Sequence, residues 1–248
     1  MKKPRLDVVL VDRGLAGSRE RARAMILAGQ VRVNGEIVSK AGHPVAAEAQ
    51  ISHVEPDHPY VGRGGVKLAH ALDVFGIDPA GRVALDVGAS TGGFTDVLLR
   101  RGASHVVALD VGHGQLDWTL RTDPRVTVLE RVNARTLAID QLAADRRAFG
   151  IITMDLSFIS VRQVLPPIAP LLAPDGDFVV LVKPQFEAGR KDVAKGGIVH
   201  DAAVHARVIE EVAGAANALG LTRTALTESP ITGAEGNREF FLHLRHGS

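Results

Sequence analysis

The chain has 248 residues, 29 Lys and Arg against 28 Asp and Glu for a net charge of +1, and no cysteine. The length allows one large domain or a small and a medium one. The lack of thiols excludes disulfides, thiolate metal sites and a cysteine nucleophile, and the near-neutral balance gives no whole-chain signature of a nucleic-acid binder. Hydrophobic residues reach 46% and aromatic residues only 4%, which suits an α/β interior. The longest apolar runs, such as Phe178 to Val182, have strand length and fall far short of the roughly 20 residues that span a bilayer. No secretion signal is expected behind the basic Met1 to Arg5, so we expect a cytoplasmic protein with no membrane partner.

Between Lys2 and Lys40, nine basic residues against four acidic ones leave a local charge of +5. Leu6, Val9 and Leu10 repeat at helical spacing. Ser18 can cap a second helix carrying Ala22, Met25 and Ile26, which Gly29 ends. Val31 to Val33 and Ile37-Val38 flank Asn34-Gly35, a strong hairpin-turn signal. Residues from His53 to Pro59, with Pro56 and mixed charge, read as a linker. Beyond it, helix and strand patterns alternate: a helix from Val66 to Phe75, a strand at Val83 to Val87, a helix near Phe94 to Arg100, and strands at His105 to Leu109, Val126 to Leu129, Gly150 to Met154 and Phe178 to Val182. Such alternation predicts a mostly parallel sheet with helices on both faces. Glu239 to Leu244 alternates like a late antiparallel strand.

The strand ending at Val87 runs into Gly88-Ala89-Ser90-Thr91-Gly92-Gly93, a turn in which glycines permit close backbone approach and the next helix offers free N–H groups. Asp110 ends the following strand, where a doubly wound fold places a carboxylate for ribose hydroxyls. The pair points to an adenosine-containing cofactor. The glycine order departs from the dinucleotide pattern, which favours S-adenosylmethionine (SAM) over nicotinamide oxidoreduction.

In open α/β sheets ligands sit beyond the carboxyl ends of the strands. Asp155 and Lys183 stand where two apolar runs stop, Lys67 opens the domain and Glu239 opens the last strand, so a Lys-Asp-Lys-Glu set is proposed. The set resembles that of FtsJ-like ribose 2′-O-methyltransferases, and the resemblance implies a ribose hydroxyl as nucleophile, which needs deprotonation and alignment. Lys183 is the candidate general base, with Lys67 and a desolvated pocket expected to lower its pKa. Asp155 would hold its amine, and Glu239 would orient Lys67 or the ribose. Phe158, Phe186 and Tyr60 are candidates to stack a nucleotide, with core packing the better expectation for the phenylalanines. The glycine-bounded basic segment from Gly189 to Gly197 is compatible with closing over phosphates. His113, His200 and His205 form no metal pattern, and no metal is expected.

Arg5-Leu6-Asp7, Gly14-Leu15, Ser18-Arg19, Gly29 to Gly35 and Lys40 resemble the RNA-binding domain of the ribosomal protein S4 type. The Lys67, Asp155, Lys183 and Glu239 set with the glycine turn resembles FtsJ-like ribose 2′-O-methyltransferases. Together with Arg63-Gly64-Gly65, Asp155 to Ser160, Val182 to Glu187 and Gly197 to Asp201, the whole order is similar to the TlyA family. The resemblance implies a Rossmann-like methyltransferase domain with a small N-terminal α+β RNA-binding domain, divided as 1–58, a linker 59–65, and 66–248. It implies SAM-dependent methylation of cytidine 2′-hydroxyls in 16S and/or 23S rRNA, with rRNA or ribosomal subunits as partners and no obligate protein partner. The cofactor candidates are Asp86, Gly88, Ser90, Thr91, Gly92, Phe94, Asp110 and Asn133, and the RNA candidates are Arg5, Arg19, Arg23, Lys40 and Arg63. Two further readings are an RNA-binding assembly factor with a vestigial site and a membrane-active haemolysin.

Overall fold

The computed structural model describes residues 3–27, 29–53, 58–143, 148–233 and 236–247. Near the N-terminus, helices α1 (Leu6–Asp12) and α2 (Arg19–Leu27) pack on strands β1 (Val31–Val33), β2 (Glu36–Ile37) and β3 (Ile51–His53). The Ser18 hydroxyl accepts the Arg21 N–H at 3.1 Å, and Gly29, at φ +75°, ends α2 as expected. Asn34 and Gly35 both have positive φ, the geometry of the tightest hairpin turn. β1 lies between β2 and β3, antiparallel to both. β3 corrects the sequence reading, which began the linker at His53. Ser52 and Ile51 pair across from Arg32 and Val33, a non-local partnership that a three-residue run does not announce. The Pro56 part of the expected linker lies outside the described residues.

The larger unit runs α3 (Gly64–Phe75), β4 (Val83–Val87), α4 (Gly93–Arg100), β5 (His105–Leu109), α5 (Trp118–Arg121), β6 (Val126–Leu129), β7 (Phe149–Met154), α6 (Leu165–Ile168), β8 (Leu172–Val182), α7 (Pro184–Glu187), α8 (Ala202–Asn217), β9 (Leu221–Glu228) and β10 (Phe240–His246). Its seven-stranded sheet has the order β6-β5-β4-β7-β8-β10-β9. β4 to β8 are parallel, and β10 inserts antiparallel between β8 and β9. The expected strands are present, β8 being longer at its start; α8 and the edge strand β9 were not anticipated. Alternation sorts β4 onto two cores: Leu85 and Val87 face the α6 and α8 side, and Ala84 faces α3 and α4. Strand order reverses beside β4, so a crevice opens between the carboxyl ends of β4 and β7.

Candidate active site

The glycine turn caps that crevice. Gly88 has φ +87°, Ser90 +49° and Gly92 +97°. A Cβ at Gly88 would overlap the Asp155 carbonyl, and one at Gly92 would overlap Leu120. Glycine is therefore needed for closeness as well as for dihedral freedom. Ser90 is held in its left-handed conformation by Asp110, whose carboxylate accepts the Ser90 N–H at 2.8 Å and the Gly112 N–H at 2.6 Å. Gly88, Ala89, Ser90, Thr91, Gly93 and Phe94 line a cavity that also takes in Lys67, Asp155 and Arg63.

Asp86 does not reach this cavity, a correction to its expected contact with the cofactor. Strand alternation turns it with Ala84 toward α4, where it is wholly buried and accepts the Thr95 hydroxyl at 2.7 Å and the Thr153 hydroxyl at 3.0 Å. Burial above all, and the nearby Asp155 charge, push its carboxyl up to about 7 against those two hydrogen bonds. Asp86 ties the ends of β4 and β7 to the start of α4. Asn133, also a cofactor candidate, is exposed and caps a short 3-10 turn through the Arg135 N–H at 3.0 Å. Its neighbour Val132 donates to the Asp110 carbonyl, which keeps Asn133 beside the strand end that carries Asp110.

Lys67, Asp155, Lys183 and Glu239 come together as two ion pairs. Lys67 Nζ lies 2.5 Å from Glu239 Oε2, and Lys183 Nζ lies 2.5 Å from Asp155 Oδ1. Lys183 also donates to the Ser157 hydroxyl at 3.3 Å. The expected lowering of the Lys183 pKa does not occur. Burial works in that direction and is the largest single influence, but the Asp155 and Glu239 charges together outweigh it, and the amine is held above its usual value. Lys67, the cation expected to destabilise the Lys183 charge, is itself paired with Glu239.

Phe158, expected in the core, is 91% exposed and has φ +67°. A bulky side chain in this region costs about 1–3 kcal/mol and persists only where its surroundings impose it. Its ring lies 5.2 Å from that of Phe186, three residues past Asp155 at the rim of the site. Tyr60 instead packs over Gly65 at the start of α3. In the segment from Gly189 to Gly197, Asp192 is paired with Arg207 of α8 at 2.6 Å.

In the N-terminal unit three RNA candidates converge on one acid. Asp7 is fully buried, and Arg5, Arg19 and Arg23 approach its carboxylate at 2.9, 3.2 and 3.2 Å while remaining about half exposed. These hydrogen bonds, Arg5 first, hold the Asp7 carboxyl far below the usual range despite its burial. Sequence reasoning missed Asp7 as the organiser of this cluster. Lys40 is exposed two residues before Gly42, whose backbone faces the Arg5 guanidinium. Arg63 stands apart from the cluster: it packs over Gly29 and donates to the Thr232 carbonyl at 3.4 Å. Among the described residues no helix is long and apolar enough to cross a membrane, and no group of three or more His, Cys, Asp or Glu side chains could hold a metal.

Residues 60–246 match the FtsJ-like methyltransferase family and residues 4–51 the S4 domain. The chain is 47% identical to the 16S/23S rRNA (cytidine-2'-O)-methyltransferase TlyA of Mycobacterium tuberculosis, over 98% of this chain and 90% of that protein. It is 41% identical to Hemolysin A of Brachyspira hyodysenteriae, over 97% of this chain and 99% of that one. A solved structure of a hemolysin-named protein from Streptococcus thermophilus is 40% identical with a TM-score of 0.76, covering all of this chain and 90% of the other. With both segments matched and the full-length order preserved, the chain belongs to the TlyA family of FtsJ-like methyltransferases.

Proposed function

We propose that this chain methylates the 2′-hydroxyl of cytidine ribose in 16S and 23S rRNA, with SAM as donor, RNA being docked by residues 1–58, joined by 59–65 to a catalytic domain of residues 66–248. The observation that carries the reading is the juxtaposition of the Lys183–Asp155 and Lys67–Glu239 ion pairs with the glycine turn at the switch point of the sheet. The full-length similarity to a methyltransferase named for both ribosomal RNAs supports the choice of substrate.

The turn fits SAM. Gly88, Ser90 and Thr91 line the cavity and suit the amino-acid end, with Gly92 allowing the turn its dihedral angles, and Phe94 lines the same cavity. Each Asp110 oxygen accepts one N–H and retains a lone pair for a ribose hydroxyl; Asn133 lies toward the adenine side. Bound there, SAM supplies a methyl group already activated by its sulfonium charge.

The chain's own part is to align and deprotonate the nucleophile. Because Lys183 rests as an ammonium ion, the base is the couple rather than the lone amine. As the ribose hydroxyl gives its proton to Lys183 Nζ, another Nζ proton passes to Asp155 Oδ1 across the 2.5 Å contact, so no free amine has to form beforehand. Glu239 keeps Lys67 in place, and Lys67 holds the attacking oxygen by hydrogen bonding. The exposed Phe158 ring stacks the target base so that its ribose meets the couple. Alignment and preorganised charge supply most of the acceleration.

The deciding experiment is transfer of labelled methyl from SAM to separated, unmodified small and large ribosomal subunits, followed by mapping of the 2′-O-methylated nucleotides. Cytidine methylation on both subunits is expected. Binding of SAM and RNA without incorporation on either subunit would turn the reading toward an assembly factor.

A further inference from the structure

We propose that Glu187 is a positioning residue that presents Phe158 to the substrate nucleotide, acting by fixing the conformation of the loop that also carries Asp155. The inference rests on the methyltransferase reading for what Phe158 touches, and on the structure alone for how Phe158 is held.

Two chain segments face each other rung by rung at this edge of the site. Lys183 pairs with Asp155 and reaches Ser157; Phe186 meets Phe158; Glu187 takes the rest. Its buried carboxylate accepts the Ser160 hydroxyl at 2.6 Å, the Val161 N–H at 2.7 Å and the Arg162 Nε–H at 3.2 Å. All three donors come from consecutive residues just beyond Phe158. Arg162 closes the arrangement by donating to the Glu187 carbonyl at 3.1 Å and pairing with Glu211 of α8 at 2.9 Å.

Phe158 gains little from packing, since its ring is almost fully in solvent, yet its backbone keeps a left-handed conformation. Such a conformation needs constraint on both sides. Before Phe158, the Asp155 N–H is hydrogen-bonded to the Val87 carbonyl and its carboxylate is ion-paired with Lys183. After it, Glu187 is the acceptor on which the chain converges. Glutamine at 187 keeps the shape and one acceptor oxygen, but its amide nitrogen cannot accept from Ser160 or Arg162. The loop then keeps the Val161 bond but loses the ion pair with Arg162 and the acceptor for the Ser160 hydroxyl, so it is held less firmly without loss of a buried side chain.

The test uses the full chain in two assays. Phe158→Trp in a Trp118→Phe background leaves a single tryptophan, because the chain has only one, and its fluorescence anisotropy reports how firmly the loop is held without requiring any reaction. Glu187→Gln should lower that anisotropy while SAM affinity and cooperative thermal unfolding are kept. Unchanged anisotropy would overturn the proposal. In methyl transfer to unmodified subunits, Glu187→Gln should reduce kcat/KM by about ten- to a hundredfold, as a displaced near-attack geometry does. The double variant with Phe158→Ala should be no worse than Phe158→Ala alone. Multiplicative losses in the double variant would mean that Glu187 acts elsewhere, and would also overturn it. A fall in anisotropy with no methyl transfer by the unaltered protein would instead leave the positioning role standing and remove the assigned reaction.

Discussion

Lys183 and Asp155 end adjacent parallel strands and meet at 2.5 Å, the closest approach of the two strand ends through their side chains being an ion pair and not a neutral amine beside a carboxylate. Two consequences can be measured. Lys183→Met should lower methyl transfer by about a hundred- to ten-thousandfold while rRNA binding stays within about twofold. The pH–rate profile should lack a rising limb from lysine deprotonation at neutral to mildly alkaline pH, since the amine is held above its ordinary 10.5. The stability that this pair contributes is fully present below that unfolded-state value and is lost only as pH rises through the higher folded value. A kcat that climbs through pH 7 to 9 with a lysine-like pKa would sink the couple.

Asp86 titrates near neutrality in the folded chain, at about 7, against 3.8 for the ordinary side chain. A raised folded pKa means that the protonated form is favoured by folding. Its contribution is complete below about pH 4 and disappears as pH rises through 7, amounting to at most ~4 kcal/mol. Thermal unfolding followed from pH 4 to 9 should show a decline in wild type that is absent in Asp86→Asn. Parallel curves for the two proteins would refute the assignment.

Gly88→Ala should reduce SAM affinity by more than about tenfold and destabilise the domain, because the new methyl meets the backbone carbonyl of Asp155 and the residue sits at φ +87°. Gly214→Ala on α8 is the control. It meets nothing within 4 Å, and the change should stabilise by about 0.5–1 kcal/mol through helix propensity. Calorimetric titration with SAM and urea unfolding separate the two cases.

Asp7→Asn should weaken rRNA binding although residue 7 is buried and touches no RNA itself. Without the carboxylate the three arginines lose their common anchor and repel one another. Arg19→Glu should weaken binding further and flatten its dependence on salt by about one unit of slope for each phosphate that is no longer neutralised. Filter binding across a salt series distinguishes this from simple unfolding, which circular dichroism would reveal.

Phe158→Gly should uncouple stability from activity. Removing a ring that is 91% exposed forfeits little packing and relieves the positive φ, so the unfolding temperature should be unchanged or higher. Loss of a stacked base, worth about 1–3 kcal/mol, should lower kcat/KM for RNA by about ten- to a hundredfold. Equal activity in the glycine variant would show that the ring serves no substrate.

The alternation of residues along Val83 to Val87, the glycine turn after it and the polar residues closing each apolar run are local in origin, because period-two patterning and glycine dihedrals act within a few residues. From them the parallel sheet, the glycine turn and the strand-end candidates were legible. Even the burial of Asp86 was implicit there, since it shares a strand face with Ala84. The short β3 was not, because three residues carry little pattern and its partner β1 lies some way back in the chain; α8 and β9 did carry local signals that went unread, an Asp201 cap before Val208, Ile209, Val212 and Ala216 at helical spacing and a period-two run in β9 beside the next strand. The state of the site depended wholly on tertiary structure. Lys67 and Glu239 meet across 172 positions, and the charge of Lys183 is set by two carboxylates that outweigh its burial. Phe158 faces solvent because Glu187 anchors the chain just beyond it. A sequence names which groups can ionise, stack or accept a hydrogen bond; their distances and their shielding from water decide which of these they do.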